Sequence, residues 1–575
     1  MEALIREHRV NPAHILVVTF TKAAAREMKE RFLSLCQKSG VKENYQRVTF
    51  GTFHGIFYGI LRHAYGLTGK NIISEEQRYD MLREIIYKQR IEIEDEKEFF
   101  EGLVQEISQV KNNRIPLEHY YSKNCPDEIF RTIYCTYVNR CRQARLLDFD
   151  DMLLYCYDLL KKRADILAGW QQKFQYILVD EFQDISPLQY RLIQLWNRNG
   201  KELFVIGDPD QAIYGFRGAD ALCFQHLRED YPKLTQIYLE ENYRSSGGIL
   251  SLAHTVISRS PGEHRPLCPV SPKGMPVRLA LCPGGLSEGI YIAKEINRMV
   301  GGIDMLDVDT GGVIERRVYG FSDIAILYRT HRQAQLLEKC LKKEGIPYIV
   351  TGREDYLSHP SVKGTLSFFR HLLHPEDTSA LALSQRHLEP LRDRDVLETL
   401  TTKYTSRVKR TKPQKLIDSW IQDLGLSEDE FLCKFSNMAV FHPTMQSLLD
   451  TVTFGQESDL KRSWGKGYTS GAVTLMTLHA AKGLEYPAVF LAGLNKGILP
   501  LSQAREEAAL EEERRLFYVG LTRAKEELVL ITAAEKPSPF IEDIPEKLVQ
   551  RERIGKEKED GELRQISLFE IMKEM

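Results

Sequence analysis

Asp180 and Glu181 stand side by side after the apolar run Tyr176-Ile177-Leu178-Val179, in "YILVDEFQDIS" (176–186). A strand that ends this way delivers two carboxylates at its carboxyl end, where open α/β sheets bind ligands. One carboxylate can hold Mg²⁺, directly or through water, while its neighbour polarises a water for in-line attack on a phosphoryl group. An acidic turn after a core strand is the alternative. The next apolar run, "LFVIGDPDQAIYGFRGA" (203–219), carries Gln211 in a glycine-bounded loop, followed by Tyr214, Phe216 and Arg217. A glutamine there can sense a γ-phosphate or orient the attacking water, and aromatic rings beside an arginine suit base stacking. Rings of this kind are more often packing residues. Arg244, in "LEENYRSSGGIL" (239–250), and Arg523, in "EEERRLFYVGLTRAKEEL" (511–528), each fall at an expected turn between strand and helix. Two cations at helix starts on a second domain could act as arginine fingers on a nucleotide held by the first, coupling cleft closure to hydrolysis.

Hydrophobic pattern supplies the scaffold for these residues. "HILVVTFTKAAAREMKERF" (14–32) is a buried strand running into a helix, with Ala24, Met28, Phe32 and Leu35 at helical spacing and Thr19-Phe20-Thr21 in the turn. "DIAILYRT" (323–330), "VTLMTLHAAKG" (473–483) and "ELVLITA" (527–533) are further strands. Continuous Val/Ile/Leu runs alternating with helices indicate parallel sheets covered on both faces. Residues 61–147 and 373–467 are charged and helix-patterned, and the second stretch includes the basic segment "KYTSRVKRTKPQK" (403–415). Both are expected to be helical insertions in two α/β domains.

The bulk numbers bound the rest. A chain of 575 residues exceeds one core, and 43% hydrophobic with 27% charged residues is ordinary for globular protein. A formal net charge of -2 confines any nucleic-acid surface to a local groove. The ten cysteines form no C-x-x-C pair, which argues against a zinc site or disulfide scaffold and suits a reducing cytosol. No apolar run approaches the ~20 residues that cross a bilayer, and no signal-peptide core is present. A cytoplasmic protein without membrane attachment is expected.

The motif set resembles the UvrD/Rep/PcrA-like superfamily 1 DNA helicases. "VVTFTKAAAREMKER", "VTFGTFHGIFYGILR", "LLDFDDML", "VDEFQD", "GDPDQAIYGFRGA", "LEENYRSS", "TLHAAKGLEYPAVFLAGLNKGILP" and "EERRLFYVGLTRAKEEL" occur in family order from about residue 5 to about residue 545. The resemblance implies two RecA-like parallel-sheet motor domains, each with a helical insertion. The first would comprise 1–60 and 148–240 around the insertion 61–147, and the second 241–372 and 468–545 around a shortened insertion 373–467. Residues 546–575 would be a linker and terminal peptide.

Roles carried over by the resemblance use ATP and Mg²⁺ as cofactors. Asp180 would hold Mg²⁺, Glu181 would act as general base, and Gln211 would report the γ-phosphate. Arg244 and Arg523 would contact that phosphate, Tyr243 would stack near the adenine, and Glu485 would meet the ribose. Phe20, Tyr214 and Phe216 resemble base-contacting aromatics, with Thr52, His54 and His479 along the strand's backbone. Single-stranded DNA and single-strand/duplex junctions are the implied partners. "QISLF" (565–569) resembles a sliding-clamp docking peptide, with Leu568 and Phe569 filling an apolar pocket and Gln565 fixing register.

Departures from the family pattern qualify this expectation. Lys22-Ala23 stands where Asn-Lys is usual, and no nuclease-like extension follows the last motif. No G-x-x-x-x-G-K-[ST] occurs in the 575 residues, and the adenine-reading glutamine is absent. "MEALIREHRVNPAH" resembles the rest of the helix that begins at the phosphate loop, so an N-terminally truncated first domain lacking its central strand is expected. The expected activity is an ATP-dependent 3′-to-5′ single-strand DNA translocase or helicase of repair or replication restart, inactive as it stands if nothing replaces that loop. The alternative is a non-hydrolysing DNA-binding or clamp-associated paralogue.

Overall fold

A computed structural model describes residues 1–38, 45–89, 93, 96–197, 202–270, 274–301, 318–351, 359–440, 442–454 and 471–555. By compactness, the described residues of 1–237 group with those of 352–469, and those of 238–351 with those of 470–575.

The first unit is built on four parallel strands: β1 (Ile15–Thr19), β2 (Thr49–Thr52), β3 (Tyr176–Val179) and β4 (Leu203–Val205). Their order is β2-β1-β3-β4. Every residue of β1 is buried, as expected of an inner parallel strand covered on both faces. β3 and β4 pair directly, Ile177 opposite Leu203 and Val179 opposite Val205. The helix Lys22–Lys38 follows β1, with the hydroxyl of Thr21 accepting the amide of Ala24 at 3.1 Å. Its buried stripe is Ala25, Phe32 and Cys36. Leu35, expected on that face, lies off it and is exposed, because the stripe advances from Phe32 by four residues rather than three.

The first insertion begins later than expected. Helix Phe53–Tyr65 still packs in the sheet's core through Phe57, Ile60 and Leu61. The neck is the bridge between Ile72 and Leu147. Beyond it, helices Glu75–Gln89, Glu96–Asn113 and Asp127–Gln143 enclose a separate core of Leu82, Leu103, Ile107, Phe130 and Tyr137. A buried ion cluster ties this insertion to the returning helix Phe149–Lys162: Lys111 Nζ lies 2.5 Å from Asp148 and 2.8 Å from Asp151. Tyr137 donates to Asp148 at 3.0 Å.

The second insertion starts at Pro360, earlier than the expected 373, and runs as six helices to Phe454 among the described residues. Phe368, Phe369, Tyr404, Trp420 and Phe435 form its core. It interrupts the second sheet in sequence yet groups with the first unit in space, where Arg386 pairs with Asp80 at 2.8 Å.

The second unit holds the two-stranded β5 (Glu241–Asn242) and β6 (Cys268–Pro269) beside a seven-stranded sheet. The larger sheet comprises β7 (Val277–Cys282), β8 (Ile324–Tyr328), β9 (Tyr348–Val350), β10 (Val473–Thr477), β11 (Tyr486–Leu491), β12 (Ala524–Ala533) and β13 (Val549–Arg553). Its order is β13-β7-β12-β11-β8-β10-β9, with every neighbouring pair parallel. All ten cysteines are free. No helix among the described residues is long and apolar enough to cross a membrane. Gln565, Leu568 and Phe569 lie outside the described residues.

Candidate nucleotide and nucleic-acid sites

The carboxyl ends of β1 to β4 gather the chemistry of the first unit. Asp180 leaves β3 with its amide bonded to the Val18 carbonyl at 2.9 Å. Glu181 follows in the left-handed region at φ 51°, an uncommon conformation for a non-glycine residue and one that clusters at functional sites. Gln183 explains how the turn is held. Its Nε2 donates to Glu181 Oε2 at 2.5 Å, and its Oε1 accepts the amide of Asp208 at 3.0 Å. Asp208 in turn accepts from Gln211 Nε2 at 2.8 Å. Glu181 and Gln211, thirty residues apart in sequence, thus belong to one hydrogen-bonded chain. Gly207 is required here, because a Cβ would stand 2.2 Å from Gln183 Oε1.

Burial, reinforced by repulsion from Glu181, raises the Asp180 carboxyl to about 6. No cation among the described residues offsets these effects. Two carboxylates are too few for an all-protein metal cage, and no cluster of three or more His, Cys, Asp or Glu residues among the described residues could hold a metal. The pair does fit Mg²⁺, which is commonly held by one or two carboxylates with waters and substrate phosphates. Thr19 Oγ1, at the end of β1, is buried without a hydrogen-bond partner.

Beside this acidic turn lies an aromatic platform. Phe20, after β1, stacks on Tyr214 with ring centroids 5.2 Å apart and planes 11° from parallel. Phe216 lies 6.0 Å from Tyr214, and the Arg217 guanidinium sits 5.6 and 5.5 Å from the Tyr214 and Phe216 rings. Gly218, at φ 81°, closes the turn. Phe216 is 46% exposed, so the platform offers an accessible ring beside a cation. These rings belong to two separate motifs in sequence, and the sheet brings them together.

Thr52 and His54 occupy the end of β2 and the following helix start. The Thr52 hydroxyl oxygen accepts the amide of Gly55 at 3.2 Å, so it caps that helix. His54 packs edge-on against Phe149, with centroids 5.5 Å apart. Burial lowers its pKa to about 4, leaving it a neutral hydrogen-bonding group rather than a phosphate-pairing cation.

In the second unit, three segments distant in sequence converge. Asn242 Oδ1 accepts the amides of Arg244 and Ser245, both at 2.9 Å. Ser245 Oγ donates to the Ala524 carbonyl at 2.6 Å, and the Tyr486 amide bonds to the Arg523 carbonyl at 2.9 Å. Glu485 pairs with Arg244 and with Lys525, each at 2.7 Å. The Lys525 hydrogen bond, with Arg244, holds its carboxyl below the usual glutamate range. Tyr243 is 72% exposed beside them, and His479 lies in the turn after β10.

Arg523 departs from its expected display. It comes after helix Glu507–Leu521 and precedes β12, so it stands at a helix exit rather than a helix start. Its side chain is 1% exposed. Its Nε donates to Val519 O at 2.9 Å, and one terminal nitrogen donates to Leu484 O at 3.2 Å. In this conformation it is an internal strut. Arg244 and Lys525 are the half-exposed cations of this cluster.

Two parallel-sheet units, one carrying an acidic turn beside a ring platform, define an α/β architecture of RecA-like type. Residues 1–232 match the UvrD/REP helicase N-terminal domain, and residues 237–430 and 430–535 match the UvrD-like helicase C-terminal domain. The chain belongs to the UvrD/REP helicase family. It is 30% identical to the ATP-dependent DNA helicase PcrA of Leuconostoc citreum, covering 95% of this chain and 80% of that relative. Against PcrA of Bacillus subtilis the identity is 30%, covering 95% and 81%. Against the ATP-dependent DNA helicase Rep of Salmonella typhimurium it is 30%, covering 94% and 89%.

Proposed function

We propose that this chain is an ATP-driven translocase and helicase on single-stranded DNA. The observation that carries this reading is the shared edge of the first sheet. The stacked Phe20–Tyr214 platform and the Asp180–Glu181 turn leave the same carboxyl ends, and the segment after β4 carries both Gln211 and Tyr214. A loop that feels both a nucleotide and a base can couple the two. Relatives bearing the name ATP-dependent DNA helicase support the same activity.

Asp180 takes a divalent cation, whose chemistry is to neutralise phosphate charge. Glu181, aimed by Gln183, accepts the proton of the attacking water. Gln211 reports on the terminal phosphate through Asp208 and Gln183. Arg244 exchanges Glu485 for phosphate, Tyr243 stacks on the base, and Glu485 is freed for the ribose. Phe20, Tyr214 and Phe216 stack DNA bases, while Thr52, His54 and His479 donate to its backbone. Movement is 3′ to 5′, and the setting is cytoplasmic DNA repair or replication restart. Both rest on the motif resemblance. The peptide Gln565–Phe569 docks on a sliding clamp, and deleting 565–575 abolishes that binding while sparing DNA affinity.

One observation favours a second reading. No G-x-x-x-x-G-K-[ST] occurs in the sequence, and that loop's backbone and lysine ordinarily cradle the phosphates. A protein that grips DNA without hydrolysing ATP has the same platform. Stopped-flow translocation on oligo(dT) labelled at either end tests the motor and its direction. A length-dependent arrival at the 5′ end supports it, and ATP-independent dissociation from both ends contradicts it.

A further inference from the structure

Two stretches far apart in sequence meet beneath the aromatic platform. Helix Glu96–Asn113 of the first insertion packs against the turn Gly215–Arg217 that carries Phe216. The residue at the contact is Asn112, which is 3% exposed. A Cβ placed on Gly218 would lie 3.9 Å from Asn112 Nδ2, an ordinary contact distance. Asn112 is itself held in place. Its Nδ2 donates to Asp150 Oδ1 at 2.7 Å, and to the carbonyl and hydroxyl of Ser108 at 3.0 and 3.1 Å. The neighbouring Lys111 pairs with Asp148 and Asp151, while the third carboxylate of that helix start, Asp150, takes the Asn112 amide.

The platform turn has its own hydrogen bonds. Arg217 and Ala219 donate to the Tyr214 carbonyl at 2.9 and 3.1 Å, and Gly218 donates to the Gly215 carbonyl at 2.9 Å. Bonds within a turn fix its shape but not its height above the sheet. Just beyond it, the Asp220 amide ties the chain to the Ile185 carbonyl at 2.9 Å. A ring gains stacking energy only where its face is presented to the bases, so the height of Phe216 matters for grip. We infer that Asn112 is a positioning residue for single-stranded DNA: it seats the Gly215–Gly218 turn on the first insertion and so keeps the Phe216 ring presented. The strand then bears on the insertion through one buried amide. The inference rests on the DNA-handling reading above, and it gives the insertion a part in that reading through a residue that does not touch DNA.

The test uses the full chain. Asn112→Ala is compared with an exchange pair, Asn112→Asp with Asp150→Asn, which keeps shape, net charge and a hydrogen bond while the two groups trade places. Tyr137→Phe removes a hydrogen bond to Asp148 in the same neck and controls for loosening of the insertion. Binding of oligo(dT) carrying 2-aminopurine is followed by anisotropy across a salt series and by quenching of the analogue's fluorescence. Asn112→Ala should bind about fivefold or more weakly, the lower end for one lost base stack. Quenching should fall with it, and the salt slope should stay unchanged because no cation is altered. The exchange pair and Tyr137→Phe should remain within about twofold of the unaltered protein. Unchanged affinity in Asn112→Ala, a loss shared by the exchange pair, an equal loss in Tyr137→Phe, or a reduced salt slope each overturns the assignment. Should Asn112→Ala not fold, Asn112→Ser is measured in its place against the same outcomes. If Tyr214→Ala loses affinity and Asn112→Ala does not, the inference fails alone. If the unaltered protein does not bind oligo(dT), the DNA-handling reading itself fails, and the inference fails with it.

Discussion

Gln183 holds Glu181 by a hydrogen bond of 2.5 Å from its amide nitrogen, while its amide oxygen takes the backbone N–H of Asp208. One buried side chain therefore aims the proposed base and anchors the loop that carries Gln211 and the aromatic platform. Replacing it with leucine should lower DNA-stimulated ATP turnover by roughly 10²-fold through misplacement of Glu181. Oligo(dT) affinity should fall by less than turnover, since the loop loses one anchor while the Phe20–Tyr214 stack remains. Steady-state kinetics with a parallel binding titration checks both halves.

The Phe20–Tyr214 stack predicts a different signature. Tyr214→Ala removes the central ring and should weaken oligo(dT) binding by about 1 to 3 kcal/mol, roughly 5- to 150-fold. Thermal stability should be largely retained, because the ring lies at the surface end of the sheet. A loss of folding with no selective loss of DNA affinity would make the stack a packing element only.

Asp180 gives a pH-dependent prediction. Its folded pKa, about 6, lies above the ordinary aspartate value, so the folded state keeps a proton that the unfolded chain has released. Stability therefore falls as pH rises from about 4 to 6, and the penalty is fully present above that window. Asp180→Asn should melt higher than the unaltered protein at pH 7 to 8 without added metal, with the difference closing near pH 4. Mg²⁺ should raise the melting temperature of the unaltered protein and not that of the variant.

Arg244 and Arg523 should separate cleanly. Arg244→Ala breaks a half-exposed ion pair with Glu485 and should cost under about 1 kcal/mol of stability, while turnover falls by about 10³-fold if it meets the phosphate. Arg523→Ala empties a buried site and removes the side-chain donors to the Leu484 and Val519 carbonyls, the latter keeping only the Thr522 hydroxyl. It should destabilise the protein by about 3 kcal/mol or more, visible in urea unfolding.

Lys111 anchors the first insertion to the helix that carries Asp151. Lys111→Met leaves Asp148 and Asp151 buried together without their cation, which should cost about 3 to 5 kcal/mol. Adding Asp151→Asn should recover part of that loss, because it removes one of the two uncompensated charges.

Much of this is legible in the sequence, and the exceptions have identifiable causes. Each apolar run that ends in a polar turn forms a parallel strand, and Phe20, Asp180 and Gln211 fall at carboxyl ends as strand patterns dictate. The Phe20–Tyr214 stack needs the sheet order, which no local pattern carries. Gln183 lies within the VDEFQD stretch, but its part in aiming Glu181 shows only in its two hydrogen bonds. An arginine beside Thr522 looks like a surface cation until the Val519 and Leu484 carbonyls are seen to receive Arg523. Neither insertion boundary is sharp, since helices Phe53–Tyr65 and Pro360–Leu373 share a helical pattern with the helices after them.

The most direct measurement is ATP hydrolysis by this chain with and without oligo(dT), beside Glu181→Gln. Hydrolysis stimulated by DNA and lost in the variant, with DNA affinity kept, is the expected result. Equal silence of both proteins while DNA remains bound would contradict the motor and leave a DNA-binding protein that does not hydrolyse ATP.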